Sequence, residues 1–204
     1  MKGEKVGIIG LTTSETKDIA SPGSVVFENY LERTKAQVAA LEAKGVNKII
    51  ALTHIGYDDN VNYDNDLMLA KAVEGIDVIV GGHTHTELKE PVVVDKKVDG
   101  SDKAPTIIVQ AYQYADYLGT VNVEFDEKGQ VLKYRGNLIG TSSLKDQATL
   151  ASKLKPFADR IAEISNKEIG VSTSIKLSNP RSSEKSVKQL AAVLKKQLKK
   201  LTKA

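Results

Sequence analysis

Two short apolar runs, Ile49-Ile50-Ala51-Leu52-Thr53 and Val78-Ile79-Val80, stand on either side of a segment with helical spacing, and this order restricts the fold more than any other feature of the chain. Strands apolar on both faces belong in a parallel sheet, and parallel neighbours need a right-handed crossover between them. The pattern predicts a strand over Lys48 to Thr53, a short helix over Leu67 to Val73 stopped by Gly75, and a strand over Ile76 to Val80. An earlier strand over Val6 to Leu11 and a helix within Glu28 to Lys44, with Leu31, Val38 and Leu41 at helical spacing and Gly45 as its C-cap, extend the series. Thr12 to Gly23 reads as a polar loop between them. The fold class is therefore α/β.

Beyond Pro91 the pattern turns antiparallel, with strands over Thr106 to Ala111, Thr120 to Phe125 and Gln130 to Ile139, the last two joined by the turn Asp126-Glu127-Lys128-Gly129. A helix follows from Asp146 to Ser165, interrupted near Pro156. The final segment, Glu184 to Leu201, places Val187, Leu190, Leu194, Leu198 and Leu201 on one face of a basic amphipathic helix.

All three histidines of the 204-residue chain, His54, His83 and His85, follow directly on apolar runs of the βαβ unit. Ligands of open parallel sheets gather at the carboxyl ends of the strands, so the topology puts the three imidazoles on one rim. In an extended backbone His83 and His85, two positions apart, share a face, and Gly81-Gly82 lets the backbone approach a ligand closely. The chain has no cysteine, which leaves imidazole and oxygen donors for any metal. One isolated histidine would be read as a loop residue bonded to backbone. Three at one rim favour coordination of a divalent ion, and taken alone they resemble a mononuclear zinc site. The acids Asp58, Asp59, Asp64 and Asp66 read as a solvated loop with a helix N-cap at its end, and Asp77, which opens a strand, as a turn or register residue.

Charge is unevenly placed. From Arg181 to the end there are eight basic residues against one acid, so the +3 of the whole chain belongs to the tail and the preceding body is mildly acidic. No aromatic residue interleaves those lysines, and the tail reads as a solvated terminal helix with its Leu stripe packed on the body rather than as a nucleic-acid or lipid surface. No apolar run approaches the roughly 20 residues of a membrane span. The opening Met1-Lys2-Gly3-Glu4-Lys5 leads into a run too short and glycine-rich for a signal peptide.

Val6-Gly-Ile-Ile-Gly-Leu-Thr-Thr, Leu52-Thr-His-Ile-Gly, Gly75-Ile-Asp-Val-Ile-Val-Gly-Gly-His-Thr-His-Thr, Val109-Gln-Ala and Tyr117-Leu-Gly together resemble the later half of the metallophosphoesterase domain of the 5′-nucleotidase, UDP-sugar hydrolase and 2′,3′-cyclic-nucleotide phosphodiesterase family. The resemblance implies a partial αββα sandwich over 1–140, a linker helix and the threshold of a second domain over 141–180, and a basic tail over 181–204. It implies a two-ion site, with Zn²⁺ or Mn²⁺ the expected metals, in which His54 and His83 bind one ion and His85 helps bind the other. Such a site activates a water for attack on a nucleotide or other phosphate ester. Work outside the cell, in the cell wall or in the periplasm is the matching location.

The same resemblance implies donors that this sequence lacks: an Asp-x-His pair, a Gly-Asp carrying the bridging aspartate, and an Asn-His pair. No catalytic residue is therefore expected in the chain itself. It reads as the C-terminal part of a catalytic domain, weakly metal-binding and inactive without the missing N-terminal half. With no Phe after Phe157 and no Tyr after Tyr134, the family's base-stacking site is also absent. A non-catalytic scaffold that keeps the fold is the alternative. A parallel sheet so exposed should leave an apolar face and a strand edge open and promote self-association.

Overall fold

The structure, a computed structural model, describes residues 3–58 and 62–167. Asp59 and the basic segment 184–201 lie outside the described residues. The chain divides into two compact units, 1–144 and 145–204.

In the first unit, five strands form one sheet: β1 (Gly7–Thr12), β2 (Ile49–His54), β3 (Val78–Val80), β4 (Val92–Lys96) and β5 (Asp102–Val109), in spatial order β1-β2-β3-β5-β4. The crossovers carry α1 (Thr16–Ile19), α2 (Tyr30–Glu42) and α3 (Asp66–Ala72). A separate antiparallel hairpin is made of β6 (Tyr117–Phe125) and β7 (Val131–Gly140). Within the five-stranded sheet β1, β2, β3 and β5 run parallel, and the edge strand β4 is antiparallel to β5.

This corrects the sequence reading at β5, which the pattern beyond Pro91 places among antiparallel strands. The run Thr106 to Val109 is apolar on both faces, as a central parallel strand must be, and it pairs Val78 with Ile107 and Val80 with Val109. The short strand β4, opened by Val92-Val93-Val94, is an addition to the expected elements. It sits at the sheet edge, where pairing on one side suffices.

Local signals set the helices. Asn29 caps α2 by accepting from the N–H groups of Leu31 at 3.0 Å and Glu32 at 3.1 Å. Gly45 and Gly75, at φ +74° and +82°, turn the chain out of α2 and α3 in a conformation that side-chain-bearing residues resist. At Gly75 a Cβ would also fall 2.7 Å from Val38 Cγ1.

The inward face of the sheet carries Ile9, Ile49, Ala51, Ile79 and Ile108, packed against Val38 of α2 and Leu69, Ala70 and Val73 beside α3. Strand alternation sends Ile8, Leu52, His54 and Val80 to the opposite face. The hairpin reaches only part of that outer face: Gly119, Val121, Gly136 and Leu138 border a cavity of about 170 Å³ with Val80 and Val109. Over β1 and β2 the outer face is open, with Ile8 63% and Leu52 48% exposed.

Of the turn and register roles open to Asp77, the structure has the second, its carboxylate accepting from Ile49 N at 2.7 Å and its N–H donating to Ile49 O at 2.9 Å. Burial raises its pKa from 3.8 to about 6, against the opposing pull of the Ile49 hydrogen bond and of Lys48 and Lys103.

In the second unit α4 (Ala148–Ser165) runs through Pro156 without the expected interruption. The helix is solvent-exposed almost throughout, so the carbonyl left without a donor by the proline ring faces water. Leu150, Leu154, Phe157, Ile161 and Ile164 form an exposed apolar stripe along it. No helix of the described residues is long and apolar enough to cross a membrane.

Two outcomes follow. Because the folded pKa of Asp77 lies above its ordinary value, the stability it contributes is complete below about pH 4 and lost as pH rises through about 6. Urea titrations should show Asp77→Asn gaining on the parent between pH 4 and 7 by on the order of 2 kcal/mol, and parallel curves would contradict it. The apparent molar mass of the parent by light scattering should rise with concentration, and Leu52→Lys, on the open outer face, should suppress that rise.

Candidate metal site

Three connections meet at the carboxyl ends of the parallel strands: Ile55 to Asn65 after β2, Gly81 to Pro91 after β3, and Gln110 to Asp116 after β5. One backbone bond and one backbone-to-side-chain bond tie the first two, with Gly56 N donating to Gly82 O at 3.0 Å, and Tyr57 N donating to Thr84 Oγ1 at 3.1 Å. The second and third are tied by Thr86 N donating to Gln110 Oε1 at 2.6 Å and Tyr112 N donating to Thr86 O at 3.3 Å.

Glycines permit this closeness. A Cβ on Gly82 would lie 3.2 Å from His54 Nδ1, and one on Gly81 would collide with Asp66 Oδ2. Gly81 and Gly82 therefore serve the packing of neighbouring side chains, in addition to any approach of a ligand.

His54 and His83 meet with ring centroids 5.1 Å apart and planes at 64°, edge to face. His85 does not complete a cluster with them. Its ring lies against Tyr114, 5.3 Å between centroids. The reason is backbone conformation: His83 and His85 sit at φ +86° and +54°, so the connection is not extended, and the same-face argument for positions two apart does not apply. Non-glycine residues held at positive φ store strain that neighbouring contacts must hold in place. Among the described residues no group of three or more His, Asp or Glu side chains is arranged to hold an ion.

Burial lowers the His54 pKa, and the nearby charges of His83 and His85 push it the same way, which disfavours the protonated imidazole; the neutral form is the one that ligates metal. One ion taking two imidazoles through nitrogen at about 2 Å keeps their centroids roughly 5 Å apart. The His54–His83 pair fits that spacing.

Glu15 is the neighbour that sequence reading misses. Its Oε2 lies 2.7 Å from His83 Nε2. The sequence places it in a polar loop, although Thr16 to Ile19 form α1 and Glu15 is its N-cap residue. Nothing in its local sequence signals a contact spanning 68 positions.

The acidic loop also differs from expectation. Asp64 and Asp66 are buried, Asp64 accepting from Ser14 N at 2.8 Å and from the Ser14 hydroxyl. Asn65, not an aspartate, caps α3 by accepting from Met68 N at 2.7 Å. Asp66 accepts from Thr53 Oγ1 at 2.6 Å, and burial raises its pKa from 3.8 to about 7.

The chain is 41% identical over 173 residues to the trifunctional nucleotide phosphoesterase protein YfkN of Bacillus subtilis, a match covering 82% of this chain and 11% of that protein. It is 36% identical over 183 residues to the 5′-nucleotidase of Rattus norvegicus, covering 82% of this chain and 30% of the enzyme. A crystal structure of the 5′-nucleotidase precursor from Thermus thermophilus superposes with a TM-score of 0.69 at 36% identity, over 82% of this chain and 34% of that one. Over 82% of its length the chain is homologous to 5′-nucleotidases. It spans about a third or less of the length of these relatives. No protein-family model matches it. The mixed α/β architecture, a parallel sheet with an antiparallel hairpin and a helix, agrees with the nucleotidase structure.

The glycine contacts give a direct test of how the rim is assembled. Gly81→Ala should lower stability by roughly 1–3 kcal/mol through the clash with Asp66, read as a shift in denaturant midpoint. Gly10→Ala, with open space at its Cβ, should shift it little.

Proposed function

We propose that this chain supplies the imidazole donors of a metal-dependent nucleotide phosphoesterase, with His54 and His83 as ligands of one ion and His85 serving a neighbouring one. The observation that carries the reading is the edge-to-face pair of imidazoles at the ends of adjacent parallel strands, 5.1 Å between centroids. The separate orientation of His85 toward Tyr114 suits a donor serving a second ion better than a third ligand of the first. Zn²⁺ or Mn²⁺ are the ions that imidazole-and-carboxylate sites favour. Bound there, such ions would activate water and neutralise the charge of a phosphate ester.

The chain's own residues perform positioning. The strand ends fix the two imidazoles, the glycines admit them, and the loop ties hold the strained His83 backbone. Glu15 bonds the Nε2 of His83, so ion binding through that nitrogen requires the Glu15 carboxylate to swing aside or to join the ion. A carboxylate bridging two ions has no counterpart among the described residues, and the sequence contains neither an Asp-x-His nor an Asn-His pair. We therefore infer that the 204 residues by themselves hold ions weakly and turn over little substrate. Residues 1–140 are the site-bearing part of this reading, with 141–180 a linker and 181–204 a basic tail.

The names of the relatives support nucleotides as substrates, and a Thermus precursor and a snake venom enzyme of Naja atra support work outside the cytoplasm. Calorimetric titration with zinc tests the core of the proposal. His54→Ala/His83→Ala should weaken binding by more than roughly tenfold, the scale on which even outer-shell partners of a metal act. Equal zinc binding by parent and double variant would sink it. Nucleotide hydrolysis should appear only when a polypeptide carrying the Asp-x-His, Gly-Asp and Asn-His segments is added.

A further inference from the structure

Two buried side-chain atoms lack a hydrogen-bond partner among the described residues, Asp66 Oδ2 and Gln110 Nε2. Both aim at one spot. A Cβ on Gly81 would collide with Asp66 Oδ2 and stand 3.2 Å from Gln110 Nε2, so a carboxylate acceptor and an amide donor flank the same glycine without bonding each other. Asp66 is fully buried and Gln110 is 2% exposed, so bulk solvent does not serve them.

The remaining atoms of the two side chains are already committed. Asp66 Oδ1 accepts from Thr53 Oγ1, and Thr53 precedes His54. Gln110 Oε1 accepts from Thr86 N, and Thr86 follows His85. Asp66 thus grips the His54 segment and Gln110 the His83 segment, and each turns its free polar atom toward Gly81 between them. A single water can accept from an amide and donate to a carboxylate at once, which is the complement this pair requires. Gln110 also borders the cavity of about 170 Å³ beneath the hairpin, which leaves room on its side.

We propose that Asp66 and Gln110 jointly bind one internal water beside Gly81 and act as positioning residues that hold the His54 and His83 segments at a fixed spacing. The bridge stands on the packing alone, and only its service to ion binding rests on the function proposed above.

Exchanging the polarity of the pair tests it in the full chain. Gln110→Glu keeps an acceptor for Thr86 N but sets a second carboxylate against Asp66, and should lower the thermal midpoint by roughly 5–10 °C. Adding Asp66→Asn exchanges carboxylate and amide, and should recover most of that loss. The imidazole resonances of His54 and His83 should shift in the single variant and return in the exchanged pair. Losses that simply add, or imidazole resonances indifferent to both changes, would overturn the proposal. In the parent, magnetisation transfer from a long-lived water to the Gln110 amide protons supports the bridge, and a dry site contradicts it. None of these readouts needs an ion, so failure of the bridge and failure of the metal reading are visible separately.

Discussion

Parallel pairing of β2 with β3 is the constraint on which the site depends. It sets Leu52 beside Val80, so the segments that follow leave the sheet at the same level and His54 meets His83. Isolated parallel strands are held slightly less firmly than antiparallel ones. Here the pairing is reinforced from both ends. Asp77 clasps Ile49 at the strand starts, and Gly56 N bonds Gly82 O beyond the strand ends. Histidine placement is therefore a consequence of sheet register, and a slip by one residue would send His54 to the inward face.

Much of this is legible in the sequence because it rests on local signals. The apolar runs, the glycine stops at Gly45 and Gly75, and the hairpin turn near Gly129 each act within a few residues, and the elements they mark agree with the structure to within a few positions. The direction of β5 is not legible in the same way, because parallel and antiparallel partners are chosen by the sheet, not by the strand. Its neighbour β3 is 29 residues away in register, at Val78 and Ile107. Pro156 does not break α4 because an exposed helix tolerates the loss of one hydrogen bond that a buried one would not.

The rim is legible in position but not in detail. That His54 and His83 lie together follows from topology, whereas the orientation of His85 does not, since it depends on positive φ at two non-glycine residues. Such conformations are imposed by surrounding ties, here from Thr84 to Tyr57 and from Thr86 to Gln110. Glu15, Asp66 and Gln110 escape a sequence reading for the same reason. Their partners lie 68, 13 and 24 positions away, and none sits in a motif that names its role.

The two faces of the sheet then carry different duties. The inward face is packed with Ile9, Ile49, Ala51, Ile79 and Ile108 and supplies most of the stabilising burial. The outer face is covered by the hairpin only toward β5, and His54 stands at the end of its open part, in line with Leu52. Open apolar surface and the paired imidazoles thus occupy one region. The Glu15 carboxylate already reaches His83, whereas the inward side is filled by α3 and the buried Asp66. A partner layer that covered Ile8 and Leu52 would exclude water from the imidazoles at the same time, and low dielectric strengthens charge-to-ion contacts at such a site.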